Sequence, residues 1–402
     1  MQAIPFYPAD VLLPRGGFET WAVIACDQFT SQPAYWRQAE ALVGQADSTL
    51  RLTLPEIYLE QGDRLARIND VNRTMQEYCD RGVLTEYPNA MVLVERTTPS
   101  GVRRGIVGAV DLAAYDYRKG SRALIRATEE TVLSRIPPRV QIRRDAPLEL
   151  PHVLLLMDDP ADSVLQAACA GREDRPLYDC DLMLGGGHVT GRLLTPAGRQ
   201  AVQAALQNLL AGQADPLLFV VGDGNHSLAT AKECAALTDD PAAKRALVEV
   251  VNLHDPAIQF EPIYRVLFGV DPAAALAEIG AALGRSDDPA AHRFTCVYAG
   301  GETTLTVPAA AKLPVATLQP VLDAYLARHP DVKIDYIHGQ NALRELAARP
   351  DALGFLFAGM RKQDLFDAVR QDGSLPRKTF SMGHAEEKRY YMEARRIRSA
   401  KD

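Results

Sequence analysis

Within the run Pro216 to Ala236, PLLFVVGDGNHSLATAKECAA, a carboxylate (Asp223), an amide (Asn225), an imidazole (His226) and a hydroxyl (Ser227) crowd around Gly222 and Gly224. Glycine lets backbone come close to a ligand. Amides at the start of a helix, backed by the positive end of its dipole, hold phosphate or another anion. Asp223 adds a metal ligand or base, and His226 a proton carrier or phosphate donor. The same residue types are ordinary at turns and caps, so a purely structural junction is the competing reading.

A second concentration of chemistry lies in Tyr115 to Arg144, where Arg118, Arg122, Arg126, Arg135, Arg139 and Arg143 surround Glu129 and Glu130. Guanidinium forks match phosphate or carboxylate oxygens, and a glutamate held among them can serve as a general base. A solvated surface laced with ion pairs is the alternative. Arg377, Lys378 and Thr379 form a third set able to reach an anion, or else part of a surface strand and helix covering the core. Gly185, Gly186 and Gly187 precede His188 without the Lys-Ser/Thr of a P-loop, so they read as a hairpin turn.

The elements that must position these groups alternate in type. Leu217 to Val221 is an apolar run of strand length, and Ser227 opens a segment of good helix formers, giving strand, tight turn and helix. Trp21 to Cys26 reads as a buried strand ending at Asp27, itself a site residue or the cap of a helix over Pro33 to Leu42. Leu54 to Gly82 carries apolar residues near a helical period. Ala90 to Arg96 and Arg104 to Asp111 read as a hairpin, and Pro137-Pro138 as the end of a helical stretch. His152 to Asp158 and Ala246 to Leu253 read as buried strands, and Thr195 to Gln213 as an amphipathic helix. After residue 267, helices and strands alternate again. The expectation is an α/β (α+β) protein, with a core over residues 1–266 and a smaller α/β domain over 267–402 whose tail packs back on the core.

At 402 residues, with 47% hydrophobic and 24% charged residues, the composition is that of a folded protein large enough for two domains. A net charge of −7 argues against general binding to nucleic acid or anionic membrane and favours a small-molecule partner. The six cysteines show no C-x-x-C or zinc-like spacing, and no leader or membrane span is visible, so a cytoplasmic location is expected.

Taken together, GIVGAVDLAAYDY, IRATEETV, LPHVLLLMDDP, GDGNHSLATAK, EPIYRVL and LPRKTFSMG resemble the domain-of-unknown-function 1015 family over nearly the whole chain. GDGNHSLATAK resembles that family's D-G-H-H-R stretch, which is similar in turn to the phosphate-binding turn of ParB-like and sulfiredoxin-like proteins. Free-serine kinases are built on that ParB-like fold. The resemblance implies a ParB/sulfiredoxin-like nucleotide-binding core and phosphoryl transfer to a small hydroxyl compound such as free serine. Three positions depart from the pattern: Asn225 replaces the first histidine, Ser227 the arginine, and Thr128 a histidine before Glu129. The lost arginine requires another cation, with Arg126, Arg265 and Lys378 as candidates. Sulfiredoxin chemistry is disfavoured, because neither Asn225 nor Ser227 is the cysteine it needs.

The leading expectation is a Mg²⁺-dependent kinase using ATP or ADP. Asp223 would hold the metal and Glu129 would be the base. Gly222, Gly224, Asn225, Ser227 and the His226 side chain would hold the phosphates, with Arg126, Arg265 and Lys378 stabilising charge. A nucleotide-sensing protein without efficient catalysis is the alternative, and a ParB-like nucleic-acid-associated protein a third reading.

Overall fold

In the computed structural model, residues 3–30, 32–58, 62–383, 387–389 and 392–399 are described. The strands in chain order are β1 (Phe6–Tyr7), β2 (Ala9–Pro14), β3 (Leu84–Ala90), β4 (Val92–Thr98), β5 (Gly101–Asp111), β6 (Tyr115–Asp116) and β7 (Ile125–Ala127). Then follow β8 (Leu148–Glu149), β9 (Leu154–Met157), β10 (Tyr178–Asp181), β11 (His188–Leu193), β12 (Phe219–Asp223) and β13 (Arg245–Asn252). The remainder are β14 (Phe260–Phe268), β15 (His292–Tyr298), β16 (Gly301–Val307), β17 (Lys333–His338), β18 (Ala352–Phe357), β19 (Phe380–Met382) and β20 (Ala394–Arg396). Helices α1 (Phe18–Trp21), α2 (Pro33–Val43), α3 (Arg64–Asp80), α4 (Ile136–Arg143), α5 (Ser163–Ala170), α6 (Pro196–Leu210) and α7 (Asn225–Ala236) lie among the earlier strands. Helices α8 (Pro272–Leu283), α9 (Pro314–Arg328), α10 (Gln340–Ala347) and α11 (Leu365–Asp372) lie among the later ones.

The chain is a mixed α/β protein of two units. One comprises Met1–Ala127, Thr131–Ile258 and Gly383–Asp402, the other Thr128–Glu130 and Gln259–Met382.

In the first unit a mixed sheet of ten strands runs β10-β11-β4-β5-β13-β9-β12-β7-β6, with β1 also paired to β5. Its central strands are apolar on both faces, and alternation divides their side chains between two cores. Val107 and Ala109 of β5 and Leu247 of β13 pack with Trp21, Trp36 and Tyr78. Ile106 and Val110 of β5 and Val248 and Val250 of β13 pack with residues of α5, α6 and α7. A second sheet, β3-β2-β20-β8, sets β20, from near the end of the chain, between β2 and β8.

In the second unit a sheet of order β16-β15-β18-β14-β17, with β19 on β14, carries α8 to α11 in its connections.

Several local expectations change. Trp21 to Ala25 is buried and Cys26 half-buried, but the run is not a strand: α1 ends at Trp21 and Ile24 makes a single bridge to Arg389. The Trp21 indole N–H donates to the Met392 carbonyl at 3.0 Å, so the run is buried against tail backbone instead of a sheet neighbour. Asp27 does not cap α2, whose N-cap is Gln32. The helix expected from Leu54 starts at Arg64, where the Asp63 carboxylate accepts from the Leu65 and Ala66 amides. Pro137-Pro138 opens α4 instead of closing a helix, because a missing N–H costs nothing in a first turn. The tail contributes β19 and β20; the positions 384–386 and 390–391 of that expectation lie outside the described residues.

Candidate functional site

The local sequence dictates the junction after β12. Phe219, Val220 and Val221 are fully buried between β7 and β9, and the pairing with β9 shifts register between Val221 and Asp223. Gly224 then adopts φ 83° and caps α7, so the helix starts at Asn225, two residues before the expected Ser227. A Cβ at Gly224 would lie 2.5 Å from the His152 carbonyl oxygen and 3.0 Å from the Val153 Cα, so both conformation and space demand glycine. The first-turn amides of Asn225, His226 and Ser227 have no carbonyl within α7 to donate to.

Asp223 turns its carboxylate to two cationic or ionisable neighbours. Lys388 Nζ lies 3.1 Å from Oδ2. His152 Nε2 lies 3.5 Å from the same oxygen, and His152 Nδ1 donates to the Arg389 carbonyl at 2.7 Å. Burial alone would raise the Asp223 pKa, but Lys388 and His152 outweigh it and hold the carboxyl well below the ordinary range. The Gly224 amide donates to Asp223 Oδ1 at 2.8 Å.

His226 is neutral at physiological pH. Burial pushes its pKa down to about 4, with Arg139 and Arg135 acting in the same direction and Asp27 opposing them. Its Nε2 and the neighbouring Asn225 Oδ1 are buried atoms with no hydrogen-bond partner among the described residues. Buried polar atoms are nearly always satisfied, so two adjacent exceptions set the start of α7 apart.

A cavity of about 180 Å³ adjoins this turn, with Ser227 and Leu228 of α7, Asn72 and Met75 of α3, and Arg139 of α4 in its wall. Arg139 pairs with Glu56. The Glu56 carboxyl is raised by burial, with Arg139 opposing.

The other residues expected at the site are placed as follows. Arg126 stands on β7 beside Val220, but its guanidinium is buried and bound to the Asp215 carboxylate at 2.6 and 3.2 Å and to the carbonyls of Ala123 and Pro216. It anchors the chain entering β12. Glu129, Arg265 and Lys378 belong to the second unit and come together there. Arg265 is fully buried and donates to the Gln319 side chain and to the carbonyls of Ile263, Arg377 and Lys378. Burial pushes its pKa down to about 10. The next amide, Thr379 N–H, donates to Glu129 Oε1 at 3.2 Å. Lys378 has φ 53° and its Nζ sits 4.8 Å from the Tyr336 ring centre, beside Arg265 at 4.6 Å. That left-handed backbone is held by the carbonyl clamp of Arg265.

Sequence reading missed His152 and Lys388, the two partners of Asp223. No local signal marks them, because both reach Asp223 only through folding of distant segments. Among the described residues, no group of three or more His, Cys, Asp or Glu side chains could hold a metal ion. No helix of the described residues is long and apolar enough to cross a membrane.

The fold and junction thus define a mixed α/β protein with a strand, glycine and helix turn at the end of β12. The profile of the family described as protein of unknown function (DUF1015) matches residues 7–325, and the chain belongs to that family. No curated protein matches. Among solved structures, a free serine kinase variant in complex with AMP is similar at 12% identity and TM-score 0.41, covering 67% of this chain and 89% of that one. A free serine kinase variant in complex with ADP gives 12% identity and TM-score 0.40 over 67% and 88% of the two chains. A conserved hypothetical protein from Pyrococcus furiosus gives 12% identity and TM-score 0.37 over 67% and 90%.

Proposed function

We propose that the protein binds a nucleotide, ATP or ADP, by its phosphates at the start of α7 and transfers a phosphoryl group to a small hydroxyl compound, free serine being one such. The observation that carries this reading is the pair of buried atoms, His226 Nε2 and Asn225 Oδ1, left without a partner among the described residues beside the open amides of residues 225–227. Neutral His226 donates one N–H to a phosphate oxygen without needing a proton first, and Asn225 Oδ1 accepts from a hydroxyl. Lys388 supplies the cation missing from position 227.

Asp223 is the carboxylate that would hold a magnesium ion carried in on the phosphates, and such an ion would neutralise phosphate charge there. As a single carboxylate already paired with Lys388, Asp223 fits a phosphate-borne ion and not a resident one. Glu129 is the proposed base for the acceptor hydroxyl, Arg265 and Lys378 its proposed charged neighbours, and Arg126 a positioning residue for β12. The same reading takes the junction as part of a ParB/sulfiredoxin-like core in a cytoplasmic protein.

The test is calorimetric titration of ATP and ADP, with and without Mg²⁺, into wild type and Asp223→Ala, followed by a phosphoryl-transfer assay with serine and other small alcohols. Binding weakened by the substitution, with turnover lost in Glu129→Gln, is expected. Binding without turnover, unchanged in Glu129→Gln, would identify a nucleotide sensor. No binding to folded protein sinks both.

A further inference from the structure

The cavity beside α7 carries the reading of a nucleotide site one step further. Its wall is largely apolar, with Leu52, Leu54, Met75, Val153 and Leu228 contributing side chains. At about 180 Å³ it is smaller than the ~300–1,000 Å³ of sites that enclose a whole drug-sized ligand, so it takes one moiety. Polar side chains interrupt it, among them Thr53, Asn72, His152, Ser227 and Thr230. Asn72, on α3, lines the cavity, and its Oδ1 is buried with no hydrogen-bond partner among the described residues. An acceptor left unmade in such a place is costly, and a ligand donor recovers that cost on binding.

The cavity adjoins the start of α7, where the proposed phosphate site lies. Ser227, at the open start of α7, and Leu228 both belong to its wall. Arg139 also lines it and acts electrostatically on His226, so the same cation borders both places. A flat apolar ring with a donor at its edge, joined to phosphates, matches this layout.

We infer that the cavity receives the base of the nucleotide and selects a purine bearing an exocyclic amino group, which donates to Asn72 Oδ1. The inference rests on the phosphate-site reading above. Adenine has that amino group. Hypoxanthine presents a carbonyl oxygen at the same position, which would face the Asn72 oxygen acceptor to acceptor.

The experiment is calorimetric titration of the full chain with ADP, IDP and pyrophosphate, in wild type and Asn72→Leu. Wild type is expected to bind ADP about tenfold or more tighter than IDP, the loss of one buried hydrogen bond with its acceptor stranded. Asn72→Leu is expected to lose this preference while binding pyrophosphate as wild type does. Equal affinity of wild type for ADP and IDP, with pyrophosphate still bound, overturns the base assignment and leaves the phosphate site standing. Failure of all three ligands to bind folded protein overturns both readings. The wild-type comparison of ADP with IDP decides the matter even if the variant does not fold.

Discussion

Lys388 Nζ lies 3.1 Å from the Asp223 carboxylate, joining the tail of the chain to the strand that opens the candidate site. The pair is partly exposed, with side chains 24% and 27% accessible, so it is neither a surface pair of no consequence nor a sealed one. Asp223→Asn is expected to destabilise the protein by on the order of 1–3 kcal/mol at pH 7. The folded-state pKa of Asp223 is depressed, so its contribution is present above the unfolded value of about 3.9 and is lost as pH falls. Thermal melts of both proteins should therefore converge on acidification; a difference that stays constant from pH 7 into the acid range argues against the ion pair.

His226 should titrate near pH 4 by NMR in the free protein. Because the folded value lies below the ordinary 6.5, the unfolded chain binds the proton more readily, and stability falls as pH drops from about 6.5 towards 4. Addition of pyrophosphate or ADP should move the midpoint upward, since a nearby anion favours the imidazolium. A midpoint unmoved by saturating ligand would show that the imidazole does not face the phosphates.

Gly224→Ala places a Cβ against the His152 carbonyl in a backbone conformation that side chains avoid. A loss of about 1–3 kcal/mol is expected, together with abolished nucleotide binding. Calorimetric melting and titration check both effects. An alanine variant with wild-type stability and affinity would contradict this geometry.

Arg265 holds the backbone of Arg377 and Lys378, and through Thr379 the Glu129 carboxylate. Arg265→Gln should strand buried carbonyls and cost about 3 kcal/mol or more. Hydrogen exchange should rise first over residues 375–382. Exchange that rises evenly over the chain, or not at all, removes the clamp from the account.

Glu393 is buried, accepts from the Tyr178 hydroxyl at 2.7 Å, and lies in the field of Glu249. Burial raises its pKa to about 7, with Glu249 adding to the rise and Tyr178 and Arg96 opposing it. The folded state binds this proton more tightly than the unfolded one, so its contribution to stability declines as pH rises from about 4.3 to 7. Glu393→Gln, which keeps an acceptor for Tyr178, should match wild type near pH 5 and exceed it at pH 8 by on the order of 1–3 kcal/mol. Parallel stability curves of the two proteins across that range would refute the assignment.

Local rules made much of this protein legible from its residues. Leu217 to Val221 is buried and its last three residues open β12 (Phe219–Asp223), because a continuous apolar run serves a strand covered on both faces, and Thr195 caps α6 through the Gly198 amide as its type predicts. The glycine turn is legible for the same reason: only glycine tolerates the conformation and contact at 224. Trp21 to Cys26 misleads because an apolar run shows that it is buried without showing what covers it, and Pro137-Pro138 misleads because proline suits both the end and the first turn of a helix. The amino-acid order thus determines where backbone can open and which groups stand at the opening. Only the tertiary structure decides that Lys388 and His152 meet Asp223, that Arg126 is taken by Asp215, and that Asn72 faces the cavity beside Ser227. Those meetings depend on strand order and packing between distant segments, where Coulomb and hydrogen-bond partners are chosen by proximity in space and leave no trace in local spacing.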